Sequence, residues 1–241
     1  RYFQTQGYEY LWVVPISREL SPKYQETDYA FYGADRWITY DTLEYAGPLY
    51  GWGPSPPDQY TFGFMQDLLQ KQAQPTFLFF LTQDSHYPWI PLPERVDDWR
   101  TLANSAAAGG SLSSEEKSDL SVFAARENYL AAIEHSFASI ADFITELNDP
   151  SAIIVLIGDH QPPTVSRKDD GFETMLHIIS QDNGFLENFE YDGFEQGILL
   201  EGQVAQLKHE GFYSLFIHNF LARYGRNPAN LPPYLAAGLF H

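Results

Sequence analysis

The 241-residue chain is strongly acidic, with 14 Lys and Arg residues against 32 Asp and Glu residues and a formal net charge of −18. This charge argues against nucleic acid as a partner and disfavours adhesion to anionic lipid, because both are bound through clustered Lys and Arg. A hydrophobic share of 44% argues against disorder, and no apolar run approaches the ~18 residues that span a bilayer. Without cysteine, the chain has no disulfide, thiolate zinc ligand or cysteine nucleophile.

Apolar patterning predicts strands that alternate with helices along the chain. The predicted strands are Leu11–Val14, Phe77–Leu81, Ala152–Ile157 and Leu176–Ile179. One predicted helix follows Asp58, which could cap it, and two more run from Ser114 to Leu147 and from Phe212 to Tyr224. Because several strands are apolar on both faces, we expect an α/β fold with a three-layer, mostly parallel sheet and helices on both faces.

Three stretches interrupt this alternation. Residues 103–114 and 227–233 have loop compositions, and the aromatic stretch from Tyr24 to Trp52 is interpreted as an irregular insertion beside the functional site. No repeat or boundary divides the chain, so a single domain over residues 1–241 is expected. The chain begins at Arg1 with no signal-like stretch, and we expect it to be part of a longer protein.

The first chemical signal follows the apolar run at 153–157, where Gly158, Asp159 and His160 occur in succession. Ligands gather at the carboxyl ends of strands in open α/β sheets. A carboxylate oxygen and an imidazole nitrogen form a donor pair suited to Zn or Mn. The alternative is an Asp that caps a turn and a His that only packs.

The second signal follows the apolar run at 77–81, where His86 lies two residues before Pro88. A histidine at this position could bind an anionic substrate or act as an acid or base near neutral pH. The alternative is a turn histidine stacked on Tyr87 or Trp89. No Gly-x-Ser-x-Gly elbow occurs, which disfavours an ordinary Ser-His-Asp hydrolase.

Together these segments resemble the sulfatase-like branch of the alkaline phosphatase superfamily, in particular lipoteichoic acid synthases and phosphoethanolamine transferases. The resemblance rests on residues 158–160, on the Ser85–Pro88 turn, and on Tyr129–Ile133 in the helix between them. The Gly51–Gly53 segment and the opening Gly7-Tyr8 add to it.

The resemblance implies that Asp159 and His160 bind a catalytic divalent metal, Mn or Zn, and that His86 binds the substrate. Trp52 is implied in a lipid-headgroup or glycan cleft. His177 and His209 are candidates for a second metal site. Relatives often place a usually structural Asp where this chain has His135 or Ser136. Gln161-Pro162-Pro163 replaces the continuation seen in some relatives, which leaves the substrate open.

In the family that these segments resemble, a Thr or Ser nucleophile and one carboxylate metal ligand precede the strand that corresponds to Gly7-Tyr8 and the residues after it. We therefore expect the nucleophile and this ligand to lie upstream of this chain. The chain by itself is then expected to show little turnover.

The resulting hypothesis is the C-terminal part of a metal-dependent enzyme that hydrolyses or transfers phosphate or sulfate esters. The parent protein would be anchored by upstream segments in an extracytoplasmic location. The alternative hypothesis is a non-catalytic, acidic and aromatic-rich domain on the same scaffold, which binds glycan or a protein partner.

Overall fold

The computed structural model describes residues 2–17, 22–51, 53–104, 122–198, 205, 207–227 and 229–238. The chain forms two compact units. The first comprises Arg1–Asn148 with Pro162–Arg167, and the second comprises Asp149–Gln161 with Lys168–His241. The single domain expected over residues 1–241 stays a prediction.

The first unit is built on a parallel sheet with the strand order β2–β1–β3. The strands are β1 (Glu9–Val14), β2 (Arg36–Thr39) and β3 (Thr76–Phe80). Strands β1 and β3 confirm the two predicted strands in this unit. Strand β2 lies within residues 24–52, so the expectation that this stretch is an irregular insertion was wrong. It escaped prediction because four residues with polar ends carry no hydrophobic period.

The described helices of the first unit precede, separate and follow these strands in the sequence. They are α1 (Tyr2–Thr5), α2 (Pro22–Tyr32), α3 (Tyr40–Leu43), α4 (Asp58–Leu69), a 3-10 helix (Trp99–Asn104) and α5 (Val122–Leu147). Helix α4 begins at Asp58, the residue that was expected to cap it, and α5 ends at Leu147, as predicted. The start expected for α5 at Ser114 lies outside the described residues.

The two faces of the sheet pack differently because neighbouring residues of a strand point to opposite sides. On one face, Leu11 and Val13 are fully buried and cluster with Met65 of α4. On the other face, the Trp12 ring lies 4.3 Å from the Phe79 ring and 3.9 Å from the Tyr32 ring of α2, measured between centroids. Helices therefore cover both faces, which confirms the predicted layered α/β architecture in this unit.

The second unit contains β4 (Ile153–Ile157), β5 (Leu176–Ser180), α6 (Asn183–Glu190) and α7 (His209–Tyr224). Its core joins Phe185 and Phe189 of α6 to Leu215 of α7. Both strands were predicted, and the last helix begins three residues before its predicted start at Phe212.

Strands β4 and β5 pair antiparallel, with Val155 opposite Ile178. The predicted parallel sheet therefore does not extend to this pair. A parallel connection needs a crossover, usually a helix. The segment 158–175, described throughout, contains no helix and simply returns the chain beside β4.

We predict that Leu11→Ala destabilises the first unit by roughly 2–5 kcal/mol, because it leaves a cavity between the sheet and α4. Leu130→Ala is the matched control, since Leu130 is 57% exposed on α5 and should change stability by less than about 0.5 kcal/mol. Urea denaturation of both variants measures the two costs. Equal costs would contradict the packing described for this face.

The second unit has an acid-sensitive junction at Asp182. Its carboxylate caps α6 through the Phe185 N–H and accepts hydrogen bonds from Arg223 Nε and the Tyr224 hydroxyl, both at 2.8 Å. Hydrogen bonds from Arg223 and Tyr224 lower the pKa of Asp182 to about 2. The ionised form is thus favoured in the folded state.

Asp182→Ala should therefore destabilise the protein at pH 7. The stabilisation from Asp182 is complete above the unfolded pKa of about 3.9 and is lost as the pH falls through the folded value. The difference in denaturation midpoint between wild type and variant should consequently shrink as the pH falls from 5 to 2. A difference that stays constant over this range would refute the assignment.

Candidate functional site

Gly158 terminates strand β4 in a closely packed position. Its carbonyl accepts a hydrogen bond of 2.7 Å from the Thr174 hydroxyl and lies 3.2 Å from His209 Nε2. A Cβ atom at residue 158 would approach Thr174 Cβ to 3.0 Å, so the position favours glycine. The strand end is thus fixed by its neighbours, and the next two residues leave the sheet.

Asp159 and His160 are exposed and face each other. His160 Nδ1 lies 2.8 Å from the Gln161 carbonyl, to which it donates, and Nε2 lies 3.5 Å from Asp159 Oδ2. Asp159 Oδ1 accepts the His160 N–H at 2.8 Å. With Nδ1 protonated in the neutral ring, the Nε2 lone pair and a carboxylate oxygen lie side by side, an arrangement that a cation or a proton stabilises.

These two donors fit a divalent metal. Ligand bonds of about 2.0–2.2 Å at tetrahedral angles place donor atoms ~3.4 Å apart, close to the observed 3.5 Å. A ligating histidine usually donates its other N–H to a carbonyl, as His160 does. Within the described part of the chain, no group of three His, Asp or Glu side chains is arranged so that it could hold a metal ion. A metal at Asp159 and His160 would therefore need further ligands from outside the described residues or from solvent.

His177 and His209, the candidates for a second metal site, occupy different positions in the second unit. His177 lies within β5 opposite Leu156. His209 begins α7, where its Nε2 contacts Gly158 O and Thr174 Oγ1, both at 3.2 Å. An Nε2 that donates to a carbonyl cannot at the same time bind a metal, so in this arrangement His209 holds the strand end. The second metal site stays a prediction.

In the first unit, His86 lies on the turn after β3. Its Nδ1 is 2.6 Å from the Tyr87 carbonyl, and its backbone N–H donates to the Gln83 carbonyl at 3.0 Å. His86 borders a small cleft, lined also by Tyr50, Gly51, Asp84, Trp89 and the segment Ile90–Pro93. The sequence-predicted substrate histidine therefore faces a concave surface.

Trp89 anchors this turn and is only 2% exposed. Its indole N–H donates to the Ser85 carbonyl at 3.0 Å, and its ring meets Tyr129 of α5 edge to face. The fully buried Ala132 belongs to the same cluster and leaves room for the indole. Trp89 is thus mainly a packing residue. Trp52, the aromatic residue that the resemblance implies in a cleft, lies outside the described residues.

Sequence reasoning missed a buried cluster formed by Asp58, Asp84 and His135. Asp58 was expected to cap α4, but Pro57 occupies the cap and the Asp58 carboxylate instead accepts the N–H groups of Gln83 and Asp84 at 2.8–3.1 Å. Asp84 in turn accepts the Asp58 N–H at 3.0 Å. His135 Nε2 lies 3.2 Å from Asp84 Oδ2.

Burial raises the pKa of Asp58 well above its usual range, and the nearby charge of Asp84 raises it further. Hydrogen bonds from the Gln83 and Asp84 backbone oppose this shift without reversing it. A proton on one carboxylate reduces the repulsion between two acids that share one site. The sequence signal for this cluster was weak, because Asp84 directly precedes the Ser85–Pro88 turn but Asp58 only follows the Gly51–Gly53 segment.

A family model described as Sulfatase matches residues 1–200 of the chain. The chain therefore belongs to the sulfatase family, which confirms the resemblance seen in the sequence. A search of curated proteins finds no match.

Two solved structures are similar to this chain. One is the lipoteichoic acid synthase LtaP from Listeria monocytogenes, with 20% identity and a TM-score of 0.46 over 66% of this chain and 35% of that one. The other is a protein in the alkaline phosphatase superfamily from Vibrio parahaemolyticus, with 15% identity and a TM-score of 0.48 over 75% of this chain and 40% of that one. The chain thus spans well under half the length of either.

Thr174→Val should destabilise the second unit by about 1 kcal/mol, because valine keeps the shape of threonine but cannot donate to Gly158 O. Thr145→Val is the matched control, since the Thr145 hydroxyl bonds only to the preceding turn of exposed helix and should cost less than about 0.5 kcal/mol. Urea denaturation compares the two. Equal costs would show that the Thr174 bond does not hold the strand end.

Proposed function

We propose that this chain is the metal-binding and substrate-binding part of an enzyme that hydrolyses or transfers phosphate or sulfate esters. The observation that supports this most strongly is the Asp159–His160 pair, whose donor atoms lie 3.5 Å apart at the end of β4 in a member of the sulfatase family. Ester chemistry is the activity that the family membership favours.

In this proposal Asp159 and His160 hold a divalent cation, Mn or Zn. When bound, the cation supplies Lewis-acid activation of a hydroxyl nucleophile and screens charge that develops on the ester oxygens. The Gln161 carbonyl fixes the His160 tautomer through the Nδ1 hydrogen bond. Gly158, held by Thr174 and His209, orients the backbone from which both ligands project.

His86 is proposed to contact an oxygen of the transferred group or to protonate the leaving alkoxide. Because Nδ1 is oriented by the Tyr87 carbonyl, Nε2 is the ring atom that would contact the substrate. As an imidazolium it donates to an anionic oxygen, and it can pass that proton to the leaving group. Tyr50 lies in the wall of the small cleft beside His86, and a lipid headgroup or glycan is the substrate class proposed for the whole protein.

For the whole protein, we propose that a Ser or Thr nucleophile and a further carboxylate ligand come from a segment that precedes β1. An upstream anchor and an extracytoplasmic location complete the proposal. Among the described helices of this chain, none has the length and hydropathy needed to cross a membrane.

We predict that His160→Ala and Asp159→Asn each weaken Mn or Zn binding by more than roughly 100-fold, because loss of a direct ligand should exceed the 10- to 100-fold cost of losing a supporting group. Isothermal titration of the chain measures the affinity. Asp169→Asn is the matched control, an exposed aspartate of the same unit that should leave binding unchanged.

The same substitutions in the full-length parent should abolish turnover of aryl phosphate, aryl sulfate or phosphodiester substrates, and the preferred ester identifies the substrate class. Metal binding that survives His160→Ala, or a parent protein inactive on all three substrates, would contradict the proposal. The non-catalytic binding domain would then be the better interpretation.

A further inference from the structure

Asp58 and Asp84 are joined by reciprocal hydrogen bonds between two distant segments. The Asp58 carboxylate accepts from the Gln83 and Asp84 N–H groups, and the Asp84 carboxylate accepts from the Asp58 N–H. Asp58 is fully buried and Asp84 is 5% exposed. The first residue of α4 is thereby fastened to the chain immediately after β3.

Gln83 connects the Asp58–Asp84 junction to His86. The Gln83 N–H is held by Asp58, and the Gln83 carbonyl accepts the His86 N–H at 3.0 Å. One residue thus transmits the position of the Asp58 carboxylate to the backbone of the proposed substrate histidine. Trp89, bonded to the Ser85 carbonyl, holds the turn from its other side.

Helix α5 packs beside the junction at His135. This histidine is 9% exposed, and its Nε2 lies 3.2 Å from Asp84 Oδ2. The hydrogen bond from the Asp58 N–H directs the Asp84 carboxylate at the start of α4. A carboxylate at a helix N-terminus is also stabilised by the helix dipole.

We propose that Asp58 is a positioning residue for His86, acting through the Asp58–Asp84 junction. The inference rests on the proposed role of His86 in substrate binding. Asp58 does not touch substrate. It holds the turn so that the His86 imidazole meets the ester in a fixed orientation, and such precision matters because a displacement of about 1 Å can cost ~100-fold in rate.

A double-mutant cycle in the full-length parent tests this role. Asp58→Ala should lower kcat/KM by up to about 100-fold. The same substitution in a His86→Ala background should lower kcat/KM by less than about twofold, because the imidazole that Asp58 positions is then absent. Asp67→Ala is the matched control on the same helix, since Asp67 pairs with Arg100 at the surface. It should leave kcat/KM unchanged in both backgrounds.

Losses that add in the double mutant would overturn the inference, because a general structural defect acts with or without His86. So would an Asp58→Ala variant as active as Asp67→Ala. If His86→Ala alone leaves kcat/KM unchanged, the role proposed for His86 fails, and the junction is then judged by amide exchange alone.

Hydrogen exchange gives that independent readout. In Asp58→Ala the amides of Gln83, Asp84 and His86 should exchange about tenfold faster, which corresponds to the loss of one hydrogen bond. The amides of Leu11 and Val13 in the centre of the sheet should keep their protection. Unchanged exchange at the turn, or equal acceleration in the sheet, overturns the inference.

Asp58→Asn serves if Asp58→Ala fails to fold, as judged by circular dichroism. A carbonyl oxygen in the place of Oδ2 would lie within 3.1 Å of both N–H groups. The amide NH2 would then replace the oxygen that accepts the Gln83 N–H at 2.8 Å, and two donors would face each other. A smaller loss of kcat/KM, about threefold to tenfold, is then expected, and it should again vanish in the His86→Ala background. A loss that persists there would refute the positioning role.

Discussion

Two carboxylates buried side by side set the main constraint on the first unit. Removing a carboxylate from water is costly unless it is hydrogen-bonded or neutralised. Asp58 and Asp84 meet this requirement with three backbone N–H groups, and the raised pKa of Asp58 favours a proton on the pair. These partners exist only when the start of α4 lies against the chain that follows β3. The polar cluster therefore links the position of α4 to the geometry of one turn.

The His86 turn and the Asp159–His160 pair differ in how firmly their side chains are held. The turn of His86 is held from several sides, by Asp58 through Gln83 and by Trp89 against α5. Asp159 and His160 extend into solvent from a firmly held Gly158, with side-chain exposures of 72% and 59%. A group that orients an ester oxygen gains from rigidity, because misplacement weakens every contact. Ligands for a metal must stay accessible until the metal and its remaining donors are present.

Because the net charge is −18, an anionic ester needs positive charge at its binding site. Phosphate and sulfate esters are anionic, and the summed field of an acidic protein repels them. Positive charge at the point of contact favours the binding of such a substrate, and in the proposed function a divalent cation held by Asp159 and His160 would supply it.

The sequence by itself determined the layered α/β class, the positions of four strands, and the segments at 85–88 and 158–160, because hydrophobic period and local motifs are written in consecutive residues. It could not reveal β2, which is too short to show a period, nor the antiparallel pairing of β4 with β5, since pairing direction depends on the path of the connecting chain. Only the tertiary structure brought Asp58 to Gln83 and His135 to Asp84. Contacts between residues 25 or more positions apart are fixed by packing, and no local pattern encodes them.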